Sequence, residues 1–204
     1  MSIGLIDYGA GNLQSVRNAL RSLGHDATLV KAPDDLGGVR KVIFPGVGAF
    51  GDSMRNLTAQ GLAGPLRDWI VGGRPFFGIC IGYQLLFDSS EENPGVAGLG
   101  VFRGPVVRLR APGLKIPHMG WNPVELVRPD DPLWAGLGEK PHFYFVHSYH
   151  PAPDDESLVG ARTTYGGAFA SAIRWATGAA VQFHPEKSQA AGLRLLDNFV
   201  RTVH

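Results

Sequence analysis

The chain has a single cysteine in 204 residues. An internal disulfide is excluded, and a reducing compartment, the cytoplasm, is the expected location. Charge of one sign is also lacking: 19 Lys and Arg stand against 18 Asp and Glu, a formal net charge of +1. No run of like charges occurs, so the basic footprint of a nucleic-acid binder is absent. No apolar run approaches the length that crosses a bilayer. The opening residues show no basic-then-apolar leader pattern, so neither a membrane nor a secretory route is expected. Repeats and low-complexity stretches are missing too. The one linker-like stretch, the acidic, proline-rich residues 151–156, is too short to divide domains. One domain over residues 1–204 is the expectation.

What is present is a core and one chemical signature. Hydrophobic residues make up 44% of the chain, enough for a large core, while 28 Gly and 15 Pro make it rich in loops. Residues 75–79 are a short apolar run that reads as a buried strand. Residues 81–87 read as a helix start, with Ile81, Leu85 and Phe87 apolar. Between them lies Gly78-Ile79-Cys80-Ile81-Gly82, the G-x-nucleophile-x-G elbow with cysteine in the serine position. The strained turn demands small neighbours. It lifts the sulfur above the sheet at a helix N-terminus, whose positive end favours a thiolate. A lone cysteine after an apolar strand is also an ordinary buried residue. The later segment Gln182-Phe183-His184-Pro185-Glu186-Lys187 tips the reading. It supplies a base and a carboxylate two residues apart and completes a Cys80–His184–Glu186 constellation.

Taken in order, the chain opens with a strand over 3–7 and a helix carrying Leu13, Val16, Leu20 and Leu23 on one face. Asn12 stands as its N-cap and Gly24 as its stop. Gly9-Ala10-Gly11 hints at a dinucleotide loop, but the third glycine is missing and no acid ends the next strand, so a nucleotide site is not expected. Strands follow at 27–30 and 41–44, the second ending in Pro45-Gly46-Val47-Gly48. A glycine-rich bend at the C-terminal end of a strand is where open α/β sheets place ligands. Its expected sheet neighbour is the Cys80 strand, which makes it a candidate oxyanion loop; an ordinary turn is the plainer reading. Residues 57–64 and 65–71 read as helical, and 88–98 as a polar loop. From Leu99 onward, short β-like pieces punctuated by Pro and Gly replace helical crossovers, which suggests an antiparallel extension of a parallel sheet. Pro117-His118-Met119-Gly120-Trp121-Asn122 reads as a polar and aromatic turn. Residues 142–150 alternate in part like a strand. Their three histidines lack Cys or Asp at ligand spacing, so no metal is expected. Strands at 157–162, 168–175 and 179–183 lead to His184, and 188–203 form the last helix.

Six segments accumulate in one order. Gly78-Ile79-Cys80-Ile81-Gly82 and His184-Pro185-Glu186 together resemble the class I (triad) glutamine amidotransferases. With Pro45-Gly46-Val47-Gly48, Tyr144-Phe145-Val146-His147-Ser148-Tyr149, Asp7-Tyr8-Gly9-Ala10-Gly11-Asn12 and Pro117-His118-Met119-Gly120-Trp121-Asn122, the whole set looks like the glutaminase subunits of imidazole glycerol phosphate synthase, and the last two segments are what point to them within the family. The resemblance spans nearly the whole chain. It implies a flavodoxin-like α/β fold, with a mainly parallel central sheet, helices on both faces and an antiparallel β extension. It implies hydrolysis of L-glutamine through a cysteine thioester, with no cofactor. The ammonia would pass to a (β/α)8-barrel cyclase in a heterodimer, which makes imidazole glycerol phosphate and an aminoimidazole carboxamide ribotide in histidine biosynthesis.

The same resemblance implies roles. Cys80 would be the nucleophile, His184 the base and acid, and Glu186 its orienting group. The Val47 and Ile81 amides would be oxyanion donors on a loop bounded by Gly46 and Gly48. In the family this loop can hold its donor turned away until the partner's site is occupied. Gln84, Glu92, His147, Ser148 and Tyr149 fall where the family holds glutamine. Asn12, Trp121, Asn122 and Lys187 fall at the face toward the synthase partner. Ile81 and Tyr83 depart from the family's common Leu and Met, with no change of chemistry expected. The alternatives are a triad glutaminase serving another acceptor, such as pyridoxal phosphate synthase, a non-catalytic interaction protein, and a free cysteine hydrolase of the same fold.

Overall fold

The computed structural model describes residues 2–9 and 12–203. Ala10 and Gly11, in the loop weighed above as a nucleotide site, lie outside them. The buried strand β1 (Ile3–Ile6) leads to α1 (Leu13–Ser22), which buries Val16, Ala19 and Leu20 along one face. The helix closes on a Schellman motif: His25 N–H donates to the Leu20 carbonyl and Gly24 N–H to the Arg21 carbonyl. Gly24 takes the left-handed φ of 78° that this stop requires. Strands β2 (Ala27–Val30) and β3 (Lys41–Gly46) both pair in parallel with β1.

Two helices, α2 (Phe50–Ala59) and α3 (Ala63–Val71), follow β3. α2 begins seven residues before the predicted start at 57. The Glu92 carboxylate and the Asn93 side-chain oxygen accept from the amides of Phe50 and Gly51, each at 2.8 Å. These caps arrive from 42 residues away, and no local pattern announces them. The predicted break at Gly64 and Pro65 falls inside the first turn of α3, where a missing N–H costs nothing.

β4 (Phe76–Cys80) is buried throughout. It is followed by α4 (Ile81–Gln84), a single turn rather than the predicted helix to Phe87. Beyond it the bonding tightens, Leu86 to Tyr83 and Phe87 to Gln84. Leu85, Leu86 and Phe87 are all fully buried, so no face is left for an amphipathic helix to show solvent. The short strands β5 (Ser89–Ser90) and β6 (Pro105–Arg108) come next.

β7 (His118–Pro123) occupies the segment predicted as a turn. After β8 (Glu125–Leu126) comes β9 (His142–His147), which pairs antiparallel with β7 along its whole length. The alternation in β7 is inverted: Met119 and Trp121 are 62% and 47% exposed, while His118 is buried. A pattern with the apolar side chains outward does not read as a half-buried strand. β10 (Tyr149–Pro151) pairs with β6, giving a separate small sheet in the order β10-β6-β5.

The chain ends with β11 (Val159–Tyr165), β12 (Gly167–Trp175), β13 (Gly178–Val181) and α5 (Gln189–Thr202). The main sheet has the order β2-β1-β3-β4-β13-β12-β11-β8. Pairs from β2 to β13 are parallel, and those from β13 to β8 antiparallel. The mainly parallel α/β sheet with an antiparallel extension is as expected. Two apolar layers enclose it. One holds Val16 and Leu20 of α1 with Leu195 and Phe199 of α5. The other holds Leu57 of α2, Leu66 of α3 and Tyr83 of α4. Fully burying such side chains stabilises the fold by about 1.5–3 kcal/mol each.

Candidate active site

Cys80 ends β4 with φ 53° and ψ −105°. A non-glycine residue held there carries about 1–3 kcal/mol of strain. The flanking glycines are sterically required. A Cβ on Gly82 would lie 1.9 Å from the Phe44 carbonyl oxygen, and one on Gly78 2.5 Å from the Gly82 carbonyl oxygen. Because α4 is one turn long, the sulfur sits over a few orphan amides rather than a long helix dipole. The Ile81 N–H is among those first-turn groups that have no partner within the helix.

The adjacent strand β13 delivers the second part. Beyond Val181 the chain continues buried through Gln182 and Phe183 to His184. His184 N–H donates to the Tyr144 carbonyl at 2.9 Å, and the Ser188 hydroxyl donates to the His184 carbonyl at 2.6 Å. The side chain is thus fixed from both sides of its backbone. Pro185 opens a tight turn over Pro185–Lys187 that swings Glu186 back. Its Oε1 lies 2.8 Å from His184 Nδ1, with both side chains only 1% exposed. A buried carboxylate accepts only, so Nδ1 carries the proton. Burial works against the imidazolium, but the Cys80 sulfur and the Glu186 carboxylate outweigh it and push the His184 pKa up to about 10. His184 Nε2 is buried without a hydrogen-bond partner. Such an orphan calls for an explanation, and a group held ready for a ligand supplies one.

Cys80 and His184 share a cavity of about 270 Å³ with Val47, Gly48, Ile81, Gln84, Glu92, His147, Ser148 and Tyr149. Every glutamine-site and oxyanion residue predicted from the sequence lines it except Gly46. Gly46 ends β3, level with Cys80 on the neighbouring strand. It lies beneath the bend, where a Cβ would come within 2.7 Å of the Tyr8 hydroxyl. That hydroxyl is buried beside the Ser53 hydroxyl and the Val47 amide without closing a hydrogen bond to either. Burial pushes its pKa up to about 12, partly offset by those two neighbours. Both amide protons of Gln84 are committed, to the Tyr149 carbonyl at 3.0 Å and to Gln182 Oε1 at 3.2 Å. Its oxygen alone remains for a ligand. Sequence reading gave no role to Pro117 and Val146, which also line the cavity, or to Tyr8 and Gln182. A glutamine inside an apolar strand was the one signal available for Gln182.

The four residues predicted at a partner face separate into kinds. Trp121 is exposed and meets Tyr144 edge-on, ring centroids 6.2 Å apart. The Lys187 ammonium lies 5.9 Å from the centroid of the same Tyr144 ring. Asn122 instead turns inward, donating to the Thr164 carbonyl at 3.0 Å and meeting His118 Nε2 at 3.2 Å. Asn12 takes the N-cap position of α1 but makes no side-chain cap bond.

A cysteine on a strained elbow facing a carboxylate-held histidine, at the C-terminal edge of a mainly parallel sheet, defines a cysteine-dependent hydrolase or transferase of the α/β class. The chain belongs to the class-I glutamine amidotransferases: the family described as "Glutamine amidotransferase class-I" matches residues 4–203. It is 47% identical to "Imidazole glycerol phosphate synthase subunit HisH" of Synechococcus sp. (strain JA-3-3Ab), covering 98% of this chain and 94% of that one. It is 48% identical to the subunit of the same name from Moorella thermoacetica, covering 97% and 93%. A longer relative, "Imidazole glycerol phosphate synthase hisHF, chloroplastic" of Arabidopsis thaliana, is 48% identical over 96% of this chain and 33% of its own length. Among solved structures, a glutamine amidotransferase matches with a TM-score of 0.76 at 24% identity, covering 97% and 96% of the two chains. PurLQS from Thermotoga maritima matches with 0.78 at 18%, covering 100% and 99%. At such identities these two speak for the fold alone.

Proposed function

We propose that this chain, acting as one glutaminase domain in the cytoplasm, hydrolyses L-glutamine to glutamate and ammonia. It hands the ammonia to a (β/α)8-barrel cyclase in a heterodimer that makes imidazole glycerol phosphate and an aminoimidazole carboxamide ribotide in histidine biosynthesis. The observation that carries the reading is the shared cleft, which Cys80 and His184 line together with His184 Nε2 left unpartnered. Full-length similarity to HisH subunits supports the acceptor.

Glutamine's amide is a poor electrophile, so its hydrolysis needs a strong nucleophile and a place for negative charge. The Cys80 sulfur attacks the amide carbon and forms a C–S bond. The oxygen that becomes negative is held by the amides of Ile81 and Val47. One such donor contributes about 3–4 kcal/mol where it has been measured. His184, charged through its contacts with Cys80 and Glu186, passes the Nε2 proton to the leaving nitrogen. The C–N bond breaks and ammonia departs. Water then gives its proton to His184 and its oxygen to the thioester carbon, and glutamate leaves as the sulfur is regained. Gln84, Glu92, His147, Ser148 and Tyr149 hold the glutamine. Gly46 and Gly48 give the Val47 bend its freedom.

Free ammonia is mostly protonated in water and then no longer nucleophilic, which favours shielded delivery to a docked acceptor. The exposed Met119 and Trp121 on β7 suit the docking face, with Lys187 reaching the same Tyr144 ring as Trp121; Asn12 and Asn122 are assigned to that face through the resemblance alone. Val47 begins the bend directly after the last paired residue of β3, which fits an oxyanion loop that turns when the partner is engaged. The test is ammonia release by the purified chain, alone and with its cyclase and nucleotide ligand, with Cys80→Ala as control. Release that rises with the liganded cyclase and vanishes in Cys80→Ala is expected. Equal turnover with and without the cyclase would sink the coupling, and co-purification with a different synthase would favour the pyridoxal phosphate type of acceptor.

A further inference from the structure

Two backbone carbonyls dictate the direction of a hydrogen-bond chain that ends on the nucleophile. A carbonyl oxygen can only accept. His147 Nδ1 lies 2.9 Å from the Tyr149 carbonyl, so Nδ1 carries its proton and Nε2 is an acceptor. His118 Nδ1, 3.0 Å from His147 Nε2, must therefore donate, which leaves His118 Nε2 to accept. It does so from the Asn122 amide, whose nitrogen also donates to the Thr164 carbonyl. The two carbonyls thus agree on one tautomer for each histidine. Both rings are neutral: burial brings the pKa of His118 down to about 4 and that of His147 to about 3. His118 cannot rotate, stacked between Tyr165 and Phe145 with centroids at 4.0 and 4.7 Å.

The same Tyr149 carbonyl fixes the other branch. Gln84 must turn its nitrogen to that carbonyl, and the nitrogen also donates to Gln182 Oε1. Gln182 therefore presents its own nitrogen to Cys80 Sγ, 3.6 Å away. We propose that Gln182 is a positioning residue for the nucleophile, an N–H donor that favours the Cys80 thiolate, and that Gln84, His147 and His118 hold it in that orientation through the Tyr149 carbonyl. The inference rests on Cys80 being the nucleophile of the proposed glutaminase. It adds a second charge-stabilising contact, one that starts on β7, the strand whose outer face carries Met119 and Trp121.

The readout is alkylation of Cys80 by iodoacetamide as a function of pH, followed by intact mass. The chain has no other cysteine, so each adduct reports this sulfur alone. A donor bond to the charged form lowers a thiol's pKa. Gln182→Met should therefore move the alkylation midpoint up by about one pH unit and slow labelling about tenfold below it. Gln182→Glu, of the same shape but with an acceptor toward the sulfur, should shift it further. His118→Phe keeps the ring stack and removes the donor to His147; a smaller shift in the same direction is expected. His184 and Tyr8, the other ionisable groups that act on the sulfur, are unchanged in all three. In turnover, Gln182→Met should lower kcat about tenfold with the KM for glutamine little changed. Wild-type labelling profiles in folded Gln182→Met and Gln182→Glu would overturn the proposal. A shifted profile in a chain that releases no ammonia under any condition would uphold it while refuting the glutaminase reading.

Discussion

Replacing Glu186 by Gln removes one charge and almost no volume. The lost oxygen faces His184 Nδ1 at 2.8 Å, and both side chains are 1% exposed, so water neither screens nor replaces it. Two losses add. The imidazolium loses its counter-charge, and the new amide can turn its NH2 to Nδ1, placing the neutral ring's proton on Nε2, the nitrogen that must accept from water in the second half of the reaction. In a serine triad such a change lowers kcat by about 10⁴. A thiol depends less on its base than a hydroxyl does, so the expected loss here is about 10²–10³, or about 3–4 kcal/mol. KM should stay within a few fold, since the glutamine-site residues are untouched. The assay is steady-state ammonia release with the liganded cyclase. A fall of less than tenfold in a folded variant would refute the orienting role. A second arm uses pH. His184 holds its proton more tightly folded than unfolded, with its pKa raised from 6.5 to about 10. The stability this confers is complete below about pH 6.5 and is lost as pH rises through about 10. The wild-type Tm should therefore fall more steeply than that of Glu186→Gln between pH 7 and 10, and parallel curves would contradict the assignment.

Two further outcomes follow from geometry alone. Gly82→Ala drives a Cβ to within 1.9 Å of the Phe44 carbonyl, backbone against backbone; the cost should exceed the usual 1–3 kcal/mol of overpacking and lower Tm by roughly 5–10 °C, and a wild-type melting curve would show that the elbow is looser than described. Trp121→Ala should leave Tm unchanged, because the indole is 47% exposed, but weaken cyclase binding by about 2 kcal/mol, roughly 30-fold in Kd; an unchanged affinity in a titration would move the docking face elsewhere.

The Cys80 elbow and the His184–Glu186 pair were legible because each compresses its geometry into a few residues. Gly78, Cys80 and Gly82 describe one backbone turn, and His184, Pro185 and Glu186 fix a base and its partner within a single tight loop. The central strands were legible as unbroken apolar runs. What escaped is non-local or inverted. The start of α2 is set by Glu92 and Asn93, which reach it from beyond the nucleophile. β7 hid because its apolar side chains face outward, and its strand character comes only from pairing with β9. β11 runs over Val159–Tyr165 rather than 157–162, since its bounds are set by the β12 hairpin. The roles of Gln182 and Tyr8 depend on neighbours that meet only when distant strands are assembled.

The nucleophile, the histidine and the glycine bend leave three neighbouring parallel strands, β4, β13 and β3, in the middle of an eight-stranded sheet. Strands so placed open only when the whole sheet does, so their amides should exchange with solvent on the timescale of global unfolding. Cys80 pairs with Gly46, the last residue of its ladder. Val47 is the first residue past the end of that zipper. Under the proposed function the site therefore divides into a fixed part and one hinge: sulfur and imidazole are held by the centre of the fold, and the peptide group after Gly46 is the one left for a partner to turn.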